Sequence, residues 1–245
     1  NKEYLQKYLD VTKSQMFFAK GIIFVEGISE AILLPEIAKI LDRPLEKYAV
    51  ELVNVDSVAF SPFVNLFSSQ NVQTCFSKVA IVTDDDRCTK KSETNYINKD
   101  FDYDDVNSDI SGKLLSGTPS ERCNELETSC RAVGINVFKA TKTLEYALCC
   151  DENNIEYFIE AIKSEYSQLG PALEQKVNSL HDMNEKAACV WLFIRAREKC
   201  KGAIAQYISQ IIKKQCEMRK KGENIEKEFV IPDYLKEAVY CVTER

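Results

Sequence analysis

The chain has 245 residues, with 32 Lys+Arg against 38 Asp+Glu and a formal net charge of −6. Hydrophobic residues make up 45% and charged residues 29%, a globular balance that excludes disorder over most of the length. Only 8 Gly and 6 Pro exclude a collagenous or low-complexity chain, no apolar run reaches the ~18 residues of a membrane-spanning helix, and no secretory signal opens the sequence.

Ile22-Ile23-Phe24-Val25 is a short continuous apolar run that stops at Glu26-Gly27, and it predicts a strand buried on both faces. Ser29 is expected to cap the helix that follows, with Ile32, Leu33, Ile37, Ile40 and Leu41 on one side. A second strand is predicted over residues 48–55 and a short helix from Pro62 to Ser69. The third strand, Val79-Ala80-Ile81-Val82, runs into Thr83-Asp84-Asp85-Asp86. Residues 87–119 show no clear periodicity, contain Asp100, Asp102, Asp104, Asp105 and Asp109, and read as a long polar loop or insertion. A helix over about 120–132 precedes a fourth strand at residues 134–138. Strands separated by helices imply parallel pairing with right-handed crossovers, an α/β fold.

From about residue 152 the pattern becomes helical throughout. Ile155, Phe158, Ile159, Ile162 and Tyr166 repeat at helical spacing, as do Ile204, Tyr207, Ile208, Ile211 and Ile212, with Gly170-Pro171 as punctuation between helices. Residues 195–221 are basic, through Arg195, Arg197, Lys199, Lys201, Lys213, Lys214, Arg219, Lys220 and Lys221, opposed only by Glu198 and Glu217. Such a run is most often a solvated helix face; beside an acidic metal site it also suits phosphate. The 10 cysteines form no C-x-x-C pair, so the common zinc and thioredoxin signatures are absent, and reduced thiols in a cytoplasmic protein are expected. The single histidine, His181, reads as a surface residue and leaves no His dyad to carry chemistry.

Ligands of open α/β sheets bind at the carboxyl ends of the parallel strands. Here those ends are acidic: Glu26 closes the first strand and Asp84-Asp85-Asp86 the third, and Glu30 lies one helical turn beyond Glu26. Crowded carboxylates repel one another unless cations neutralise them, and hard oxygen donors select Mg2+ or Mn2+. Asp84 and Asp86 can both reach one ion from a bent loop, with Asp85 turned away. Each feature alone is usually an incidental loop; together on neighbouring strands they favour a metal site. Rival motifs fail. There is no G-x-x-x-x-G-K-[ST], no G-x-G-x-x-G and no G-x-S-x-G, and the Asp-x-Asp of haloacid-dehalogenase phosphatases wants Thr or Val where Cys88 stands.

A strand ending in Glu-Gly followed by one ending in Asp-x-Asp resembles a Toprim domain, the Rossmann-like parallel sheet shared by topoisomerases, primases and some nucleases. Longer stretches narrow the resemblance: Leu9 to Gly21 leading into Ile22 to Glu30, then Leu33-Leu34-Pro35, Pro62 to Phe67, Thr143-Leu144-Glu145-Tyr146 and Lys201 to Gln206. Together they look like the C-terminal half of an OLD-family (overcoming lysogenization defect) nuclease, to which the nuclease subunit of Gabija defence systems is related. Asp56-Ser57 stands where that pattern has small, often Gly-rich residues, and residues 87–119 have no counterpart in it.

The resemblance implies a metal-dependent DNA endonuclease that uses two Mg2+ or Mn2+ ions. It carries the family's metal ligands onto Glu26, Glu30, Asp84, Asp86 and Glu145, and its essential lysine onto Lys201. Glu26, Asp84, Asp86 and Lys201 would be catalytic, and Lys201, Arg195, Arg197 and Lys199 would bind nucleic acid. It further implies an N-terminal ATPase domain, through which alone ATP would act, DNA as substrate, a homodimer or higher oligomer, a helicase-like partner, and a role in phage defence or DNA processing. The start at Asn1 and the missing P-loop fit a chain trimmed at the ATPase junction. The expected organisation is a linker at 1–21, a Toprim core at 22–150 with the polar insertion, and a helical region at 151–245. Another Toprim chemistry (primase or topoisomerase), a non-catalytic docking module, and a nuclease for RNA remain open alternatives.

Overall fold

The computed structural model describes residues 14–66 and 78–244. Residues 1–13 of the expected linker, the end of the helix predicted to Ser69, and Cys75 lie outside the described residues. The chain divides into two compact units, Asn1–Thr83 with Glu121–Lys139 and Asp233–Arg245, and Asp84–Ser120 with Ala140–Pro232.

The first unit is built on a four-stranded parallel sheet in the order β2-β1-β3-β4, from β1 (Gly21–Val25), β2 (Val50–Asn54), β3 (Lys78–Asp84) and β4 (Asn136–Ala140). In register, Val25 of β1 lies opposite Asn54 of β2 and Val82 of β3. Every residue of β1 is buried, as its unbroken apolar run requires of a central strand covered on both faces. Helix α1 (Ile28–Ile40) follows β1. Its cap is Gly27 in an extended conformation with no side-chain hydrogen bond, and Ser29 sits inside the first turn. The expected Ser29 cap is therefore corrected: the chain turns into helix as soon as it leaves Glu26. Short α2 (Ser61–Leu66) and α4 (Glu121–Arg131) close one core with the sheet; α3 (Ser108–Ser116) lies between them in sequence. That core gathers Met16, Ile22, Phe24, Val53, Phe60, Phe63, Val79, Ile81, Leu126 and Ile135. Phe24 and Phe63 meet at 5.0 Å between ring centroids. Burying each such side chain contributes about 1.5–3 kcal/mol.

The second unit is helical, from α3 (Ser108–Ser116), α5 (Leu144–Cys149), α6 (Glu152–Glu165), α7 (Leu169–Ser179), α8 (Met183–Arg195) and α9 (Lys201–Lys221). Helix α8 is its axis. Residues from Ala187 to Ile194 are all buried, as befits a helix apolar on every side, and α3, α5, α6 and α7 pack around it. Phe193 receives Tyr103 at 5.6 Å and Tyr166 at 5.5 Å. Helix α7 begins just before the Gly170-Pro171 pair. Gly170 is required there, because a Cβ would sit 2.6 Å from the Lys163 Cα of α6.

The segment 87–119, expected to be loop, contains a 3-10 turn at Tyr103–Asp105 and the helix α3. Asp102 caps the turn and the Asn107 side chain caps α3 by accepting from the Ile110 amide. Ile97, Tyr103, Val106, Ile110 and Leu114 are buried, so this acidic stretch is folded material of the second unit. Two amides hold the segment after α9. Asn154 donates to the Leu148 and Val230 carbonyls and accepts from the Val230 amide. Gln215 donates to the Lys227 carbonyl and accepts from the Phe229 amide. The last helix, α10 (Asp233–Thr243), returns to the first unit and packs on β1 and α1. No helix among the described residues is long and apolar enough to cross a membrane.

Candidate functional site

In the first unit, Glu26 follows β1 directly. Its Oε2 accepts a 2.6 Å hydrogen bond from the Thr83 hydroxyl and lies 3.8 Å from the Arg122 guanidinium of α4. Thr83 is buried at 1% exposure, so the carboxylate is aimed by a fixed neighbour rather than left to sample rotamers. Glu30 is buried in the first turn of α1, where the positive end of the helix dipole favours an anion.

In the second unit, the strand-end aspartates take three different roles. Asp84 Oδ1 accepts from the Leu144 amide at 2.9 Å, satisfying a first-turn donor of α5 that has no partner within the helix. Asp86 has φ of 50°, left-handed for a non-glycine residue. Asp85, at 2% exposure, is turned inward. Its oxygens take Arg87 Nη2 at 2.6 Å and Nε at 2.9 Å, together with the Lys142 amide at 2.9 Å.

Glu145 lies in the first turn of α5 and is buried; Lys201, the first residue of α9, stands with its Nζ 3.7 Å from Glu145 Oε1. The structure thus brings together Asp84 with the start of α5, and Glu145 with Lys201. The donor atoms are all carboxylate oxygens, a set that suits a hard divalent cation. Among the described residues, no three His, Cys, Asp or Glu side chains converge into a metal cage.

The basic run separates into two groups. Arg195 donates to the Asn98 and Phe101 carbonyls and lies 4.6 Å over the Trp191 ring. Arg197 binds both oxygens of Asp102 at 2.8 Å and stacks 4.0 Å from Phe193. Burial pushes the Asp102 carboxyl up, but the Arg197 hydrogen bonds and the Tyr103 amide outweigh it and hold the group below its ordinary range. Both arginines therefore anchor residues 98–102. Lys199 is exposed, and so are Lys213, Lys214, Lys220 and Lys221 along α9.

Sequence reasoning missed Thr83, Arg122, Arg87 and Lys142. Lys142 is 4% exposed, donates to the Arg87 carbonyl at 2.7 Å and lies 5.2 Å from the Trp191 ring. Burial lowers its ammonium pKa more than the Asp86 and Asp84 carboxylates raise it. The only local signal was an arginine immediately after an acidic run, a sign of charge compensation.

These geometries place carboxylates at the ends of parallel strands in a Toprim fold. The sequence model of the Overcoming lysogenization defect protein-like TOPRIM domain matches residues 17–86, so that segment is similar to an OLD-like TOPRIM domain. Among solved structures, the C-terminal region of the Xanthomonas campestris pv. campestris OLD protein superposes with a TM-score of 0.56 at 20% identity, covering 94% of this chain and 95% of that one. The C-terminal region of the Burkholderia pseudomallei OLD protein gives 0.54 at 19% identity, over 93% of this chain and 98% of that one. At such identity the likeness establishes the fold. No protein of curated function matches the chain.

Proposed function

We propose that the chain is the catalytic part of a metal-dependent DNA endonuclease. The observation that carries this reading is the coincidence of motif and carboxylates: Glu26, Glu30, Asp84 and Asp86 all fall within the segment matched by the OLD-like TOPRIM domain. With Glu145 they would hold two Mg2+ or Mn2+ ions. Such ions, when bound, activate a water for attack on a phosphodiester and stabilise the leaving oxygen.

The remaining roles belong to side chains. Thr83 orients the Glu26 carboxylate. Lys201 offsets the negative charge that builds on the phosphate during cleavage. Lys199 and the exposed lysines of α9 track the phosphate backbone; Arg195 and Arg197 would contribute only if DNA displaced their present partners. Base-specific readout has no dedicated side chains in this proposal. The full protein is read as an ATPase–nuclease, with an N-terminal ATPase domain, self-association, a helicase-like partner, and a cytoplasmic role in phage defence or DNA processing.

The test is plasmid cleavage with Mg2+ or Mn2+ by the parent chain beside Glu26→Ala, Asp84→Ala and Lys201→Ala. Nicking or linearisation lost in all three variants and in EDTA supports the proposal. Cleavage that survives all three substitutions overturns the site, and primer synthesis from nucleotides would move the chain to another Toprim chemistry.

A further inference from the structure

The middle residue of the acidic turn is the unexplained one. A solvated Asp-Asp-Asp turn would leave Asp85 in water. Instead it is buried, and burying a carboxylate is costly unless it is paired and hydrogen-bonded. Its environment meets that requirement. Asp85 Oδ1 accepts from the Arg87 and Lys142 amides, and Oδ2 takes the Arg87 guanidinium. Arg87 Nη1 then reaches the Leu114 carbonyl of α3, and Lys142 Nζ reaches the Arg87 carbonyl. The backbone repeats the clasp: the Asp85 amide donates to Ala140 O, the Asp86 amide to Lys142 O, and the Ser120 amide to Asp85 O.

The clasp holds a strained backbone. Asp86, Cys88 and Lys142 have φ of 50°, 64° and 65°, left-handed values that are unfavourable for non-glycine residues and persist only when surroundings impose them. A turn needed only to connect strand to loop would relax, or would use glycine. Here the imposed conformation fixes the direction in which Asp84 and Asp86 leave the chain, on either side of the buried carboxylate.

We propose that Asp85, Arg87 and Lys142 are positioning residues that pre-set Asp84 and Asp86 for a divalent cation; this rests on the nuclease reading above. In this role the three residues would contact neither the ion nor the phosphate. They act through the turn, as hydrogen-bonded partners behind metal ligands commonly do, and loss of such a partner weakens metal affinity about 10–100-fold.

The experiment is calorimetric titration of the metal-free chain with Mn2+, for the parent, Asp84→Ala, Asp85→Asn, Arg87→Ala and Arg87→Lys, each with a thermal melt so that binding is referred to folded protein. Asp85→Asn keeps the shape of the side chain and decides the matter if Arg87→Ala does not fold. The expected result is Mn2+ binding lost in Asp84→Ala, weakened about 10–100-fold in Asp85→Asn and Arg87→Ala, and intermediate in Arg87→Lys. In cleavage assays the half-saturating Mg2+ concentration should rise by a similar factor, with kcat recovering at saturating metal. Mn2+ binding lost in Asp84→Ala but equal to the parent in folded Asp85→Asn overturns the positioning role alone. Mn2+ binding unaffected by Asp84→Ala overturns the nuclease site, and the positioning role with it.

Discussion

Asn154→Ala should destabilise the second unit by about 2–5 kcal/mol, and the estimate follows from what each lost bond leaves behind. Asn154 is 1% exposed and its amide closes three hydrogen bonds. The Leu148 carbonyl belongs to the last turn of α5, and Leu148 itself is fully buried, so the carbonyl is closed off from bulk solvent. Leaving such an acceptor unpaired costs about 1–3 kcal/mol. Val230 is 40% exposed, so its amide and carbonyl can turn to solvent, and each lost bond there costs only about 0.5–1 kcal/mol. Trp191 is the chain's single tryptophan and is buried in α8, so its fluorescence reports unfolding of this unit directly. Urea titrations of parent and variant, compared at equal m-value, give the difference. A loss below about 1 kcal/mol would refute the reasoning, because it would mean that water or a shifted backbone already satisfies the Leu148 carbonyl.

Three further outcomes are expected. Replacing Lys213, Lys214, Lys220 and Lys221 together by Gln should weaken binding of long duplex DNA and flatten the slope of log affinity against log salt by about one unit for each lysine that meets a phosphate; an unchanged slope removes α9 from the interface. The Asp102 carboxyl is held below its ordinary value of 3.8 in the folded chain. The Arg197 pair therefore contributes its stability above that pH and loses it as pH falls through the depressed value. The stability gap between parent and Asp102→Asn should accordingly be widest near neutrality and close under acid. Gly170→Ala should cost about 1–2 kcal/mol despite better helix propensity, because the new methyl meets the Lys163 backbone, which a rotamer change cannot move; a stabilised variant in thermal melts would refute the close α6–α7 approach.

Much of the fold could be read from the chain because its signals are local. The solid apolar run of β1 requires burial on both faces, and the helical period of residues 155–212 survives unchanged in α6 and α9. The errors have physical causes. The fourth strand was placed two residues early because Gly134 and Ile135 are apolar-looking, yet Gly134 has φ of 78° and belongs to the turn before β4. The helix α3 was missed because its apolar stripe is short, Ile110 and Leu114 alone, within an Asp- and Ser-rich stretch; the Asn107 cap was the available signal. Asn98 and Phe101, which Arg195 holds, and Asp102, which Arg197 holds, lie more than ninety residues away in sequence, so no local pattern could show that the arginines are engaged there. Glu26 and Asp84 were legible as strand ends, whereas the burial of Asp85 depends on Arg87 and on Lys142, which arrives from a distant segment.

The threading of the chain has a consequence for its biosynthesis. The first unit is left after Thr83 and re-entered at Glu121, then left after Lys139 and completed only from Asp233 onward. Helix α10 packs so tightly on β1 that a methyl at Gly21 would stand 2.9 Å from the Val242 carbonyl. A ribosome adding about 5–20 residues per second needs about 10–50 s to traverse a chain of this length. For that time Gly21–Val25 waits without the helix that covers it. A polypeptide stalled or clipped before Asp233 therefore presents β1 without its α10 cover, an apolar strand open to proteases and chaperones.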